Sequence, residues 1–217
     1  MTTRRAQIML WGLAALIVGI PVVSTISVVI IENRQHTKNM VLADALRASP
    51  EQQQSRDLVV YFSRSGNTEL MALEIAKERR ARVVQLVDAA YRIGLRGWLN
   101  AMRDARKQRA AITPEKIDLS GYDTIYVGSP IWLYSPAPPV WQFVQSNDLS
   151  GKRVILFNSL NSKFEQSYID AFARLVRQKG GTFARHIFIV RGRMTRQMER
   201  LDFLAETTRL LREAAEL

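Results

Sequence analysis

The chain has 217 residues, 47% of them hydrophobic, no cysteine, and a formal charge of +11. That is room for one ordinary domain with an appendage, and it excludes global disorder. It also excludes disulfides, thiolate metal sites and cysteine nucleophiles, and with only His36 and His186 available no metal centre is expected.

The first element is Ala6 to Ile31, AQIMLWGLAALIVGIPVVSTISVVII, with no charged residue in 26 positions. A helix needs about 20 apolar residues to cross the hydrocarbon layer. A cleaved signal peptide has an apolar core of roughly 7–15 residues and a small-residue cleavage site, which does not follow here. The expectation is an uncleaved transmembrane anchor over 1–31, kinked at Pro21 and contacting membrane lipid. A single pass through a bacterial-type inner membrane follows. Arg4 and Arg5 precede the segment while Arg34, Lys38 and Arg47 follow it, so the positive-inside balance is nearly even. TTRRAQIM loosely resembles a twin-arginine export signal, which inclines the expectation towards a domain on the non-cytoplasmic side. Residues 32–56 are polar, end in SPEQQQSR, and read as a tether, with some helix around Met40 to Leu46.

From 57 to 217 short apolar runs alternate with amphipathic stretches. Strands are expected at Leu58–Phe62, Val83–Val87, Thr124–Val127, Arg153–Phe157 and Phe183–Val190, with Gly128 ending the third. Helices are expected at Thr68–Arg80, Leu95–Ala111, from Pro138 towards Gln145, at Phe164–Lys179 and at Thr195–Ala215. Alternation of this kind implies an α/β parallel sheet covered on both faces. Ligands of such sheets bind beyond the carboxyl ends of the strands, so three loops hold the candidates.

The loop after the first strand reads SRSGNT. It lacks both GxxxxGK[ST] and GxGxxG. Ser63, Ser65, Gly66, Asn67 and Thr68 instead offer hydroxyl, amide and backbone donors at a helix start, which suits one phosphate monoester without metal, and Arg64 either adds charge or faces solvent. The competing reading is an ordinary N-cap by Asn67 or Thr68. The second loop, GSPIWLYSPAPP, puts Trp132 and Tyr134 among four prolines. Trp132 either stacks on a flat ring or packs under its own loop. The third, FNSLNSKF, has no glycine, and Asn158, Ser159, Asn161 and Ser162 could donate hydrogen bonds.

YFSRSGNT together with YDTIYVGSPIWLYSPAPPVWQF resembles the flavodoxin family, in its broad subgroup with a Gly-x-Pro-x-Trp loop, over Asp57 to about Arg193. The resemblance implies a doubly wound five-stranded parallel sheet of order 2-1-3-4-5, here preceded by one transmembrane helix. It implies FMN as cofactor, with Ser63, Ser65, Gly66, Asn67 and Thr68 receiving the phosphate. Pro130, Ile131, Trp132, Leu133 and Tyr134 would border the isoalloxazine ring, and Asn158 to Ser162 would shape access. The function implied is electron transfer or NAD(P)H-dependent reduction of an acceptor such as a quinone. The alternative is a flavin-free, membrane-tethered interaction module, which the glycine-free third loop favours.

The basic clusters Lys77, Arg79, Arg80, Arg82 and Arg103, Arg106, Lys107, Arg109 suit an anionic lipid surface or simply a solvated helix face, and no specific nucleic acid is expected. His186 falls inside a strand and reads as a structural histidine. RGRMTR, Arg191 to Arg196, meets phosphate or lipid, or forms the charged entry to the last helix. Trp98 either covers the sheet or touches the bilayer.

Overall fold

The computed structural model describes residues 2–48, 55–193 and 196–213. Alternation of side-chain direction along the strands builds two apolar faces at once. In β1 (Asp57–Tyr61), Leu58 and Val60 point to one layer, Val59 and Tyr61 to the other. The same division holds in β3 (Thr124–Trp132) and β5 (Arg153–Leu160). α3 (Leu95–Asp104), α4 (Pro138–Ser146) and α5 (Gln166–Gln178) cover the first face, through Ala101, Trp141, Phe143, Phe172 and Val176. α2 (Asn67–Arg79) and α6 (Arg200–Glu213) cover the second through Leu70, Met71, Ile75 and Phe203.

With β2 (Arg82–Gln85) and β6 (Thr182–Val190) the order is β2-β1-β3-β5-β6, all parallel. The five long strands follow the expected succession. A sixth, β4 (Ser135–Pro136), was not anticipated and pairs antiparallel with the end of β3. Gly128 does not end β3. Its missing Cβ is the space filled by Phe157, whose Cζ would lie 1.9 Å from such an atom. The strand continues because Ser129 and Pro130 pair with Asn158 and Ser159, which prolong β5 in turn. α3 stops at Asp104, where the carboxylate takes Arg103 and Lys107 at 2.8 and 2.7 Å. α6 begins only at Arg200, because the preceding residues form a small antiparallel ribbon, β7 (Gly192–Arg193) with β8 (Arg196–Gln197).

The N-terminal region differs most from its sequence reading. α1 runs unbroken from Thr2 to Arg47, through Pro21 and through most of the stretch expected as a tether. Its second half is part of the domain: Ala43 and Asn39 are fully buried, and Arg47 pairs with the Glu69 carboxylate, which also accepts from Tyr61 Oη at 2.9 Å. Residues 49–54 of the expected tether lie outside the described residues. Among the described residues no helix is long and apolar enough to cross a membrane. The anchor expected over 1–31 therefore has no support in the structure, and the side chains of 12–18, 21 and 22, which carry much of its apolar character, lie outside the described residues.

His186 is the structural group that its strand position implies. Its Nε2–H donates to Asn158 Oδ1 at 2.8 Å, and burial holds its pKa down at about 4 against an ordinary 6.5. The folded chain keeps this imidazole neutral, so its contribution is complete above pH 6.5 and is lost as pH falls towards 4. Urea titrations across that window are expected to show a loss of up to about 3 kcal/mol from this group. His186→Gln, which keeps a donor for Asn158, is expected to remove that part of the slope.

Candidate functional site

The loop from Ser63 to Gly66 turns the chain from β1 into α2. Gly66 takes φ 89°, the left-handed region, and is the helix N-cap, yet no side chain caps the helix. The capping reading of Asn67 and Thr68 is thereby set aside: both lie inside the first turn. Ser63 Oγ accepts from Gly66 N at 3.1 Å and tightens the loop. Thr68 and Ser159 share a hydroxyl–hydroxyl bond of 2.8 Å, tying the first loop to the end of β5. An uncapped N-terminal turn beside hydroxyls is a place where an anion is favoured by both hydrogen bonding and the helix dipole.

Here β2 lies on one side of β1 and β3 on the other, so the crevice beyond their carboxyl ends is the switch point of the sheet. A cavity of 330 Å³ opens there, walled by Ser63, Arg64, Ser65, Asn67 and Thr68 from the first loop and by Pro130 to Tyr134 from the second. Ser159 and Asn161 close the third side. A volume of this order falls in the range of small-ligand sites. All the sequence-derived candidates except Gly66 and Asn158 line it, and three residues differ in role from their sequence reading.

Arg64 does not extend freely into the cavity. It is buried, ion-paired with Glu32 of α1, and donates to Gly94 O at 2.9 Å. Its Nε and the Glu32 Oε2 remain buried without partners. Burial raises the Glu32 pKa, and the charge and hydrogen bond of Arg64 oppose that rise. Asn158 does not reach the cavity at all: it is fully buried and spends its amide on Ser129 O at 2.7 Å, Ser129 Oγ at 3.2 Å and His186.

Trp132 is the third change. It stands at the end of a strand, 9% exposed, edge-to-face with Tyr91 at 5.1 Å and Phe62 at 5.5 Å. Its ring is a wall of the cavity supported from behind, not a free platform. The two residues that follow it do project. Leu133 and Tyr134 have φ 40° and 77°, and Trp132 pairs with Ser135 across them, so they are the centre of a two-residue hairpin turn of the I′ kind. Neither is glycine or asparagine, and such positions cost about 1–3 kcal/mol each. Glu165 N bonds Tyr134 O at 3.0 Å and Lys163 Nζ lies 5.3 Å from the Tyr134 ring centroid, contacts that hold the strained turn.

Several cavity residues were not among the sequence candidates. Trp98 and Met102 come from α3, Glu32 and Gln35 from α1, and Lys163 and Gln197 from the far rim. The spacing of Trp98 and Met102, one helical turn apart, was visible in the sequence, but the face they turn to was not. α1 also touches the loop from behind: Asn39 Nδ2 donates to Ser65 O at 2.8 Å and to Asn67 Oδ1 at 2.7 Å. A Cβ on Gly66 would lie 2.7 Å from the Asn39 Cβ, so the glycine serves close approach as well as the turn.

A family model described as Flavodoxin matches residues 56–180. No curated protein sequence matches the chain. Among solved structures, a protein classed as a flavoprotein from Bacteroides uniformis superposes with a TM-score of 0.54 at 22% identity, covering 70% of this chain and 96% of that one. Another so classed, from Bacteroides eggerthii, gives 0.53 at 18% identity, covering 73% and 99%. A flavoprotein in complex with FMN from Lactobacillus acidophilus gives 0.49 at 21% identity, covering 62% and 93%.

Proposed function

The chain belongs to the flavodoxin family, and on that premise we propose that it is a membrane-anchored flavoprotein that holds FMN in the cavity beyond β1 and β3. The observation that carries this reading is the uncapped first turn of α2, opening onto the hydroxyls of Ser63, Thr68 and Ser159. Those neutral donors, with Ser65 and Asn67, would take the phosphate. Pro130, Ile131, Trp132, Leu133 and Tyr134 would border the ring, with Trp98 and Met102 added from α3.

When bound, FMN supplies one- or two-electron transfer. The chain's own residues bind and orient it and limit water: Trp132 forms a dry wall, the Leu133–Tyr134 turn covers one side, and Asn161 and Lys163 stand at the open rim. The uncharged stretch Ala6–Ile31 is the support for anchoring, being longer than the span of a bilayer core. A protein held at a membrane in this way has access to a lipid-soluble quinone as well as to NAD(P)H.

The test is visible absorption of the full chain purified in mild detergent, before and after adding FMN. A flavin band that stays with the protein through gel filtration is expected. No band, together with no quenching of flavin fluorescence on titration, would sink the reading in favour of a flavin-free interaction module.

A further inference from the structure

A second cavity, of 500 Å³, lies between α1, the β7–β8 ribbon and the start of α6. Five cations line it, Arg34 and Lys38 from α1 and Arg191, Arg196 and Arg200 from the C-terminal segment, against one carboxylate, Glu199. The fold assembles them deliberately. Arg34 and Lys38 are one turn apart on α1. Gly192, at φ 98°, would place a Cβ 2.4 Å from Arg196 O, so only the bare backbone lets the ribbon fold back and bring Arg196 and Arg200 to Arg191.

Arg191 is the unusual member. It is 3% exposed, and the partners of its guanidinium are neutral: Asn67 Oδ1, Met198 O at 3.5 Å, and the Phe203 ring at 4.9 Å. Burial, then the charge of Arg200, push its pKa down to about 10, with the Glu199 carboxylate pulling the other way. Among the described residues none of the five cations forms an ion pair with a carboxylate. A buried cation with no ion-pair partner is costly to fold around, and the charge of Arg200 beside it adds repulsion that Glu199 opposes. An incoming multivalent anion offsets both.

We propose that this cavity is a second anion site, built to take a phosphate-bearing group separate from the one in the main cavity. Arginine forks match phosphate oxygens two at a time, and convergence from two segments suits a group carrying more than one charge. The phosphate has two sources with the same chemistry. Ile31, the last residue of the uncharged stretch, also lines the cavity, which places it where an anionic lipid headgroup would lie. A free phosphate compound is the other source. None of the five cations lines the main cavity, so the site stands whether or not FMN binds there.

Arg34, Lys38 and Arg196 are exposed, so their joint replacement spares the fold. The full chain in uncharged detergent is titrated with pyrophosphate, and separately with phosphatidylglycerol in mixed micelles against phosphatidylcholine, at constant ionic strength. Saturable binding of at least one anion is expected. Arg34→Gln/Lys38→Gln/Arg196→Gln is expected to raise its Kd at least tenfold while leaving FMN affinity unchanged. Binding of phosphatidylglycerol alone identifies a lipid headgroup, and binding of pyrophosphate, with or without the lipid, identifies a soluble ligand. If neither probe binds saturably, or the triple variant binds as tightly as the natural chain, the site does not exist. Loss of FMN binding with this signal intact would overturn only the flavin reading.

Discussion

Trp132→Ala is expected to cost the domain about 3–5 kcal/mol, the range for removing a large aromatic from a packed core. Trp132 is nearly inaccessible and closes an aromatic trio with Phe62 and Tyr91. Its loss would leave a cavity under the end of β3 that the rigid β3–β4 hairpin cannot collapse into. Tyr134→Ala is expected to behave in the opposite way. Tyr134 sits on a strained turn, half-buried at the cavity edge, and its removal deletes a ring face more than it deletes packing. Stacking on an aromatic is worth about 1–3 kcal/mol, which corresponds to a rise in the FMN Kd of roughly 5- to 150-fold. Urea denaturation and flavin titration on the two variants separate the roles. Equal stability of Trp132→Ala and the natural chain would show that the indole is a platform after all. Unchanged FMN affinity in Tyr134→Ala would remove that ring from the site.

Glu32→Gln is expected to be the most damaging change in α1, at about 3–5 kcal/mol. The Glu32 and Arg64 side chains are 6% and 5% exposed, and removing the carboxylate leaves the guanidinium buried with only Gly94 O for a strong partner. The double variant Glu32→Leu/Arg64→Met is expected to lie much closer to the natural chain, since replacing a buried pair by apolar residues of similar size is often neutral. A double-mutant cycle by chemical denaturation reads the coupling directly. If Glu32→Gln were as stable as the natural chain, α1 would not be docked on the first loop through this pair. The cycle therefore also tests whether the helix that precedes the domain is part of it.

Much of the lining of the cavity beyond β1 and β3 is visible in the sequence because its residues are short-range. Ser63 to Thr68 lie on one loop and Pro130 to Tyr134 on another, and a strand followed by such loops already orients them. Asn158 and Arg64 were misjudged for a common reason. Each has a polar side chain whose partner is remote in sequence, His186 and Ser129 for one and Glu32 for the other. Nothing in FNSLNSKF or SRSGNT announces those partners. Trp98 was ambiguous because the period of a helix gives a face without saying what the face meets.

Local pattern determined the alternation of strand and helix, the parallel sheet and the two loops that line its switch point. These follow from apolar periodicity and from the need to cross a parallel sheet through helices, which act over a few residues each. Tertiary structure alone decided that Gly128 is a notch for Phe157, that Trp132 is a wall, and that residues 32–47 are a docked helix instead of a tether. It alone also gathered Arg34, Lys38, Arg191, Arg196 and Arg200 around one cavity. Each of those outcomes depends on which surfaces meet when distant segments bury their apolar area together, and that pairing is a property of the whole chain.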